Sequence, residues 1–252
     1  MDVVPPAGIR AMDRLLDVSP LWVANPYLPT LQTDQNLAVN EAFRKLRSQV
    51  IRMTRGEVIR NALLVTSANP GEGKTLSAMN LAISLAQEYD YTVLLVDADL
   101  RKPSVHQYLG IKPEVGLIQC LRGEASLDQA LIKTGLGKLV VLPAGGTVVN
   151  PVELLSSSKM KSIVREMRER YPERYVIIDS PPIGPFADAQ VLSDAVDGVL
   201  FVVREGWTKI DSVRATLGSI TGNKLLGVIY NDCSIQERPD LYSNYGYGGE
   251  VS

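Results

Sequence analysis

The sequence predicts an α/β fold: a doubly wound, mainly parallel sheet flanked by helices on both faces, an α/β/α sandwich. Three observations point there. The chain holds six short apolar runs, helical periodicity between several of them, and a glycine-rich turn that closes the first strand–helix unit. The runs are ALLVTS (62–67), TVLLVDA (92–98), KLVVLPA (138–144), YVIIDS (175–180), GVLFVV (198–203) and LLGVIYN (225–231). Each is too short for a helix and rich in β-branched residues, as central parallel strands buried on both faces are. Helices are expected over about 75–87, 127–133, 159–170 and 210–221. In the third of these, Met160, Ile163, Val164 and Met167 fall on one face. The β–α alternation then gives a parallel sheet covered on both sides. No internal repeat is visible.

The flanks read differently. Residues 1–35 carry prolines at 5, 6, 20, 26 and 29, which predicts an irregular arm with one helical turn near 12–16. Over about 36–54, Phe43, Leu46, Val50 and Met53 recur at helical spacing among charged residues, so an amphipathic helix should open a domain spanning 36–238. From 239 to 252 no core pattern continues. Tyr242, Tyr245 and Tyr247 lie there among Gly, Ser and Asn, and a flexible tail is expected.

Composition removes several function classes. The 252 residues are 45% hydrophobic and 21% charged, with a formal net charge of −2, so there is no global basic field to attract nucleic acid or anionic lipid. Cys120 and Cys233 have neither metal-type nor redox-type spacing. No apolar run approaches the 18 or so residues needed to cross a bilayer, and the first residues lack the pattern of a signal peptide. A cytoplasmic protein is expected, reaching a membrane only through a partner.

The chemistry concentrates at strand ends. SANPGEGKT (67–75) follows a strand and precedes a helix, the context a Walker A loop requires. In the stretch Asn69, Pro70, Gly71, Glu72, Gly73, Lys74, Thr75 and Leu76, the glycines free backbone N–H groups for phosphates at a positive helix end. Lys74 would reach the β- and γ-phosphates of ATP, and Thr75 would ligate Mg2+. Ala68 replaces the first glycine of the common pattern.

Asp97 and Asp99, at i and i+2, end the second run, and Asp179 ends the fourth as a Walker B acid does. Ligands in such sheets collect at the carboxyl ends of strands. One acid can serve the magnesium shell while another takes a proton from an attacking hydroxyl. Arg101 could stabilise phosphate charge or tie down Asp97 or Asp99. Asn231 could read the nucleotide base or simply close a turn. His106, the single histidine, has no visible partner and reads as structural.

Together, SANPGEGKT, LLVDADLR and VIIDSPP resemble the Walker motifs of the bacterial tyrosine kinases of capsule and exopolysaccharide synthesis. Two further features match that family. Glu41, Arg44 and Arg47 form its E-x-x-R-x-x-R self-association pattern, and the tail tyrosines resemble its autophosphorylated cluster. The resemblance covers residue 36 to the C-terminus. It implies ATP-dependent tyrosine phosphorylation, with Asp97 as base and with Thr75, Asp99 and Asp179 organising Mg2+. It further implies a ring-shaped homo-oligomer, activated by the cytoplasmic segment of a separate transmembrane regulator of polysaccharide chain length. A partition- or division-site ATPase is the rival reading. Its loop usually reads K-G-G-x-G-K-T, and Asn69 and Pro70 stand at the first two of those positions here.

Overall fold

The computed structural model describes residues 27, 28, 30, 37–56, 59–170 and 173–233. The helical turn expected near 12–16 and the tail tyrosines Tyr242, Tyr245 and Tyr247 lie outside the described residues. In chain order the elements are α1 (Leu37–Thr54), β1 (Ala62–Ser67), α2 (Lys74–Ala86), β2 (Thr92–Asp97), α3 (Val105–Tyr108), α4 (Leu117–Arg122), α5 (Leu127–Ala130) and β3 (Ile132–Lys133). They continue with β4 (Leu139–Leu142), α6 (Val152–Leu155), α7 (Ser158–Glu169), β5 (Arg174–Asp179), α8 (Ala187–Ala195), β6 (Gly198–Arg204), α9 (Ile210–Leu217) and β7 (Leu225–Asn231).

Among these residues seven strands form one sheet in the order β3-β4-β2-β5-β1-β6-β7. Every pairing is parallel except β3 with β4. Alternation along each strand feeds two cores. Leu64, Leu94, Val96, Val176 and Ile178 face the side where α7 buries Met160, Ile163, Val164 and Met167. Leu63, Val65, Val93, Leu95 and Ile177 face α1 and α2. The continuous apolar runs are therefore explained by burial on both faces.

Four sequence expectations shift. The helix expected over 127–133 stops at Ala130, and Ile132 and Lys133 turn back to pair antiparallel with Val141 and Val140. A β-branched residue opposite a strand edge gains more from the ladder than from another helical turn. The helix expected to reach 221 ends at Leu217, before a turn in which Gly222 and Asn223 adopt positive φ. On α1, Met53 is exposed and Thr54 is buried in its stead. The Thr54 hydroxyl bonds the Val50 carbonyl and lies 2.7 Å from the Tyr175 hydroxyl. Finally, the end of the expected N-terminal arm is fastened. Leu28 is fully buried, and the Thr30 hydroxyl donates to Asn80 Oδ1 on α2 at 2.7 Å.

Candidate active site

The β1–α2 turn is shaped by its glycines and held from one side. Gly71 and Gly73 adopt φ of 81° and 87°, the left-handed region open to glycine at little cost. Gly73 is constrained twice, since a Cβ there would meet Asn231 Nδ2 at 2.1 Å. That amide donates instead to the Glu72 carbonyl at 3.0 Å. Asn231 therefore supports the loop from the end of β7, a role neither sequence reading assigned to it.

Glu72 points away from the phosphate side. Its buried carboxylate accepts the Asn69 N–H at 2.9 Å, the Asn69 side-chain amide at 3.0 Å and the Thr208 hydroxyl at 2.8 Å. Arg204, ending β6, donates to the Gly71 carbonyl at 3.2 Å and to Asp232 at 2.8 Å. Thr208 and Arg204 belong to no motif, and only the folded chain brings them to residues more than 130 positions away. Pro70 and Gly71 remain exposed at the mouth, with Lys74, Thr75 and Leu76 behind them at the start of α2.

On the opposite side the three acids converge, as the strand ends predict. Asp97 and Asp179 are fully buried and sit in register on β2 and β5. Lys74 Nζ lies 3.1 Å from Asp99 Oδ2, and Asp99 Oδ1 accepts the Lys102 N–H at 3.0 Å. Asp97 Oδ2 accepts two backbone N–H groups, from Ser104 and Val105, both at 3.1 Å. Its Oδ1, and both oxygens of Asp179, accept no hydrogen bond of normal geometry. Buried carboxylate oxygens are rarely left so.

The protonation behaviour follows from this crowding. Burial pushes the Asp179 carboxyl up to about 6, against the pull of Lys74 and the Thr75 hydroxyl. Burial, reinforced by Asp179, holds Asp97 well above the usual carboxylate range. Burial alone would lower the Lys74 ammonium, but Asp179 and Asp99 more than reverse that and raise it. The site is thus a cation among three acids with more acceptor capacity than the protein fills.

Those oxygens fit a magnesium ion. Among the described residues no group of three or more His, Cys, Asp or Glu forms a metal cage by itself. Magnesium in phosphate-transfer sites takes only one or two protein oxygens, the rest coming from phosphate and water. Thr75 and Asp179 suit that donor set. Asp99, also expected in the magnesium shell, already has one oxygen on Lys74.

Geometry corrects one sequence expectation and bears on another. Arg101 does not tie down Asp97 or Asp99; it pairs with Asp188 on α8. The motif expected to serve self-association is divided between two environments. Glu41 and Arg44 make an exposed pair 3.6 Å apart, while Arg47 turns inward to Glu88 at 2.7 Å and the Ser84 carbonyl at 2.9 Å. Steps of three residues rotate steadily round a helix, which carries the third member to the rim of the packed face. The exposed part borders a groove lined by Glu41, Arg44, Lys45, Ser48, Gln49 and Arg52. His106 is half-buried, and burial lowers its pKa.

Comparison with known proteins agrees with this arrangement. Residues 62–209 match the family described as AAA domain. The chain is 37% identical over 212 residues to the tyrosine-protein kinase YwqD of Bacillus subtilis (strain 168), covering 83% of this chain and 86% of that protein. It is 36% identical over 202 residues to the succinoglycan biosynthesis transport protein ExoP of Rhizobium meliloti (strain 1021), covering 78% of this chain and 25% of that longer protein. Among solved structures, the chimerical protein CapA2B2 superposes with a TM-score of 0.75 at 30% identity, over 87% of this chain and 93% of that one.

Proposed function

Because the chain belongs to the bacterial tyrosine kinases, ATP-dependent protein-tyrosine phosphotransferases, we propose that its acceptors are the tail residues Tyr242, Tyr245 and Tyr247 of neighbouring copies. The reading is a kinase that phosphorylates itself between subunits of a homo-oligomeric ring and thereby regulates polysaccharide synthesis and export. The polysaccharide part draws on the similarity to ExoP, a succinoglycan biosynthesis transport protein.

The observation that carries the mechanism is the unequal engagement of the three acids. Asp99 is paired with Lys74, Asp179 accepts no hydrogen bond of normal geometry and feels only the nearby Lys74 and Thr75, and Asp97 is held by one oxygen only. Asp97 is then the base. Its backbone bonds fix the carboxylate while Oδ1 receives the phenolic proton. A raised pKa brings it closer to a phenol, whose own value is near ~10. As that O–H breaks, the tyrosine oxygen bonds to the γ-phosphorus, the bond to the bridging oxygen breaks, and ADP leaves. Lys74 exchanges Asp99 for the β- and γ-phosphates and holds the developing charge. Thr75 and Asp179, with Asp99 alongside, would hold magnesium, which would supply neutralisation of phosphate charge.

Each phosphate adds about −1.5 to −2 charge, which on a chain of net −2 is a large local change. Modified tails then repel one another, leave neighbouring sites and loosen the ring. No described helix is long and apolar enough to cross a membrane. The reading places the kinase at the inner membrane face through the cytoplasmic segment of a transmembrane chain-length regulator, which activates it.

The test is labelled ATP with magnesium, with and without that segment, read by mass spectrometry. Label is expected on Tyr242, Tyr245 and Tyr247, and Lys74→Met reduces transfer at least about 10³-fold. Mixing Lys74→Met protein with a copy whose three tail tyrosines are Phe should label the Lys74→Met tail. Phosphate release with no labelled protein in any mixture would turn the reading to a partition-type ATPase.

A further inference from the structure

Arg101 and Asp188 form a contact that no sequence motif contains. Asp188 lies in the first turn of α8 and is fully buried. Its Oδ2 accepts Arg101 Nε at 2.5 Å and its Oδ1 accepts Nη2 at 3.2 Å, the fork geometry in which guanidinium and carboxylate orient one another. The remaining nitrogen, Nη1, donates to the Val149 carbonyl at 3.1 Å. The guanidinium carbon sits 4.4 Å above the centre of the Phe186 ring, a cation–π arrangement.

One side chain thereby joins three loops, each following the carboxyl end of a strand. Arg101 lies two residues past Asp99, after β2. Phe186 and Asp188 follow Asp179, after β5. Val149 follows β4. Main-chain bonds run the same way, from Val148 N to the Leu100 carbonyl at 2.9 Å and from Ala98 N to the Asp179 carbonyl at 2.8 Å. Three of the five guanidinium N–H donors are engaged by protein, one on each nitrogen, which fixes the direction of the Arg101 side chain toward α8.

We infer that the Arg101–Asp188 clasp is a positioning device for phosphoryl transfer. It sets the Asp97–Asp99 segment against Asp179 and leaves ATP binding to the loop on the other side. This rests on the roles assigned above to the three acids. Both members are positioning residues, since each acts through the carboxylates rather than on substrate.

The experiment uses the full chain, measuring magnesium-ATP affinity with a fluorescent ATP analogue and the single-turnover rate of tyrosine labelling across pH. Arg101→Gln and Asp188→Asn should each slow saturated transfer tenfold or more, alter nucleotide affinity less than twofold, and displace the acidic limb of the pH profile. The double variant, which leaves no buried charge unpaired, should lose less than the product of the two single losses. Arg101→Lys keeps the charge and loses the fork; it should melt like the wild type and still transfer several-fold slower. Tenfold weaker nucleotide binding with an unchanged saturated rate would make Arg101 a phosphate ligand and overturn the clasp. Multiplicative losses in the double variant, or full rates in a folded Arg101→Lys protein, would overturn it too. Wild-type protein that binds ATP and labels no tyrosine would instead remove the acid assignments themselves.

Discussion

The two sides of the phosphate loop are built on opposite terms. Toward β6 and β7 the loop's polar groups meet protein partners: Glu72 has three donors, and the Gly71 and Glu72 carbonyls are held by Arg204 and Asn231. Toward β2 and β5, three buried carboxylate oxygens, one on Asp97 and two on Asp179, accept no hydrogen bond of normal geometry. Folding alone favours the first arrangement and opposes the second, because desolvated charge without a partner is costly. The satisfied side has the character of scaffold, and the unsatisfied side is the candidate site. A buried acid in this protein is therefore informative only through what answers it. Glu72 and Asp179 are equally inaccessible and do opposite work.

The largest test of that contrast is Asp179→Asn. Transfer should fall about 10²-fold or more, while the nucleotide-free protein gains about 1–2 kcal/mol of stability in denaturant titration, since a desolvated charge is gone. Loss of stability would break the contrast.

Next comes pH. The Asp179 carboxyl titrates near ~3.9 when unfolded and at about 6 when folded. The native state therefore binds more protons between those values. Its contribution to stability is fully present below the window and is lost as pH rises through about 6. Activity runs the other way, with transfer declining as Asp179 protonates below about pH 6. Opposed slopes in melting temperature and rate over pH 5–7 are the expected observation.

On the satisfied side the effects should be smaller and of the opposite character. Glu72→Gln keeps the shape but turns one acceptor oxygen into a donor facing donors, costing about 1–3 kcal/mol of stability. Nucleotide affinity should weaken, with the saturated rate within about threefold of wild type. Thr208→Val removes one hydroxyl and should cost about 1 kcal/mol with little kinetic change. If either variant loses rate as severely as Asp179→Asn, the division between scaffold and site fails.

Sequence made this contrast half legible. SANPGEGKT announced the loop, and the convergence of Asp97, Asp99 and Asp179 followed from where β-branched runs end. The bracing could not be read, because Thr208 and Glu72 are 136 positions apart and Arg101 and Asp188 are 87 apart. No periodicity couples such pairs. The helix over 187–195 was missed for a related reason: its inward residues are Asp188, Ala189, Leu192 and Ser193, too small and polar to write an apolar stripe. Arg47 shows another limit, because spacing alone does not say that Glu41, Arg44 and Arg47 straddle the boundary between a helix's exposed and packed faces.

That boundary has a mechanical side. α2 is 13 residues long, a rod of about 20 Å. Lys74 and Thr75 stand at one end, and Arg47 grips the Ser84 carbonyl and Glu88 at the other. α1 and the start of the phosphate loop are therefore ends of one mechanical connection, and the stiffness of α2 sets how far the two can move independently.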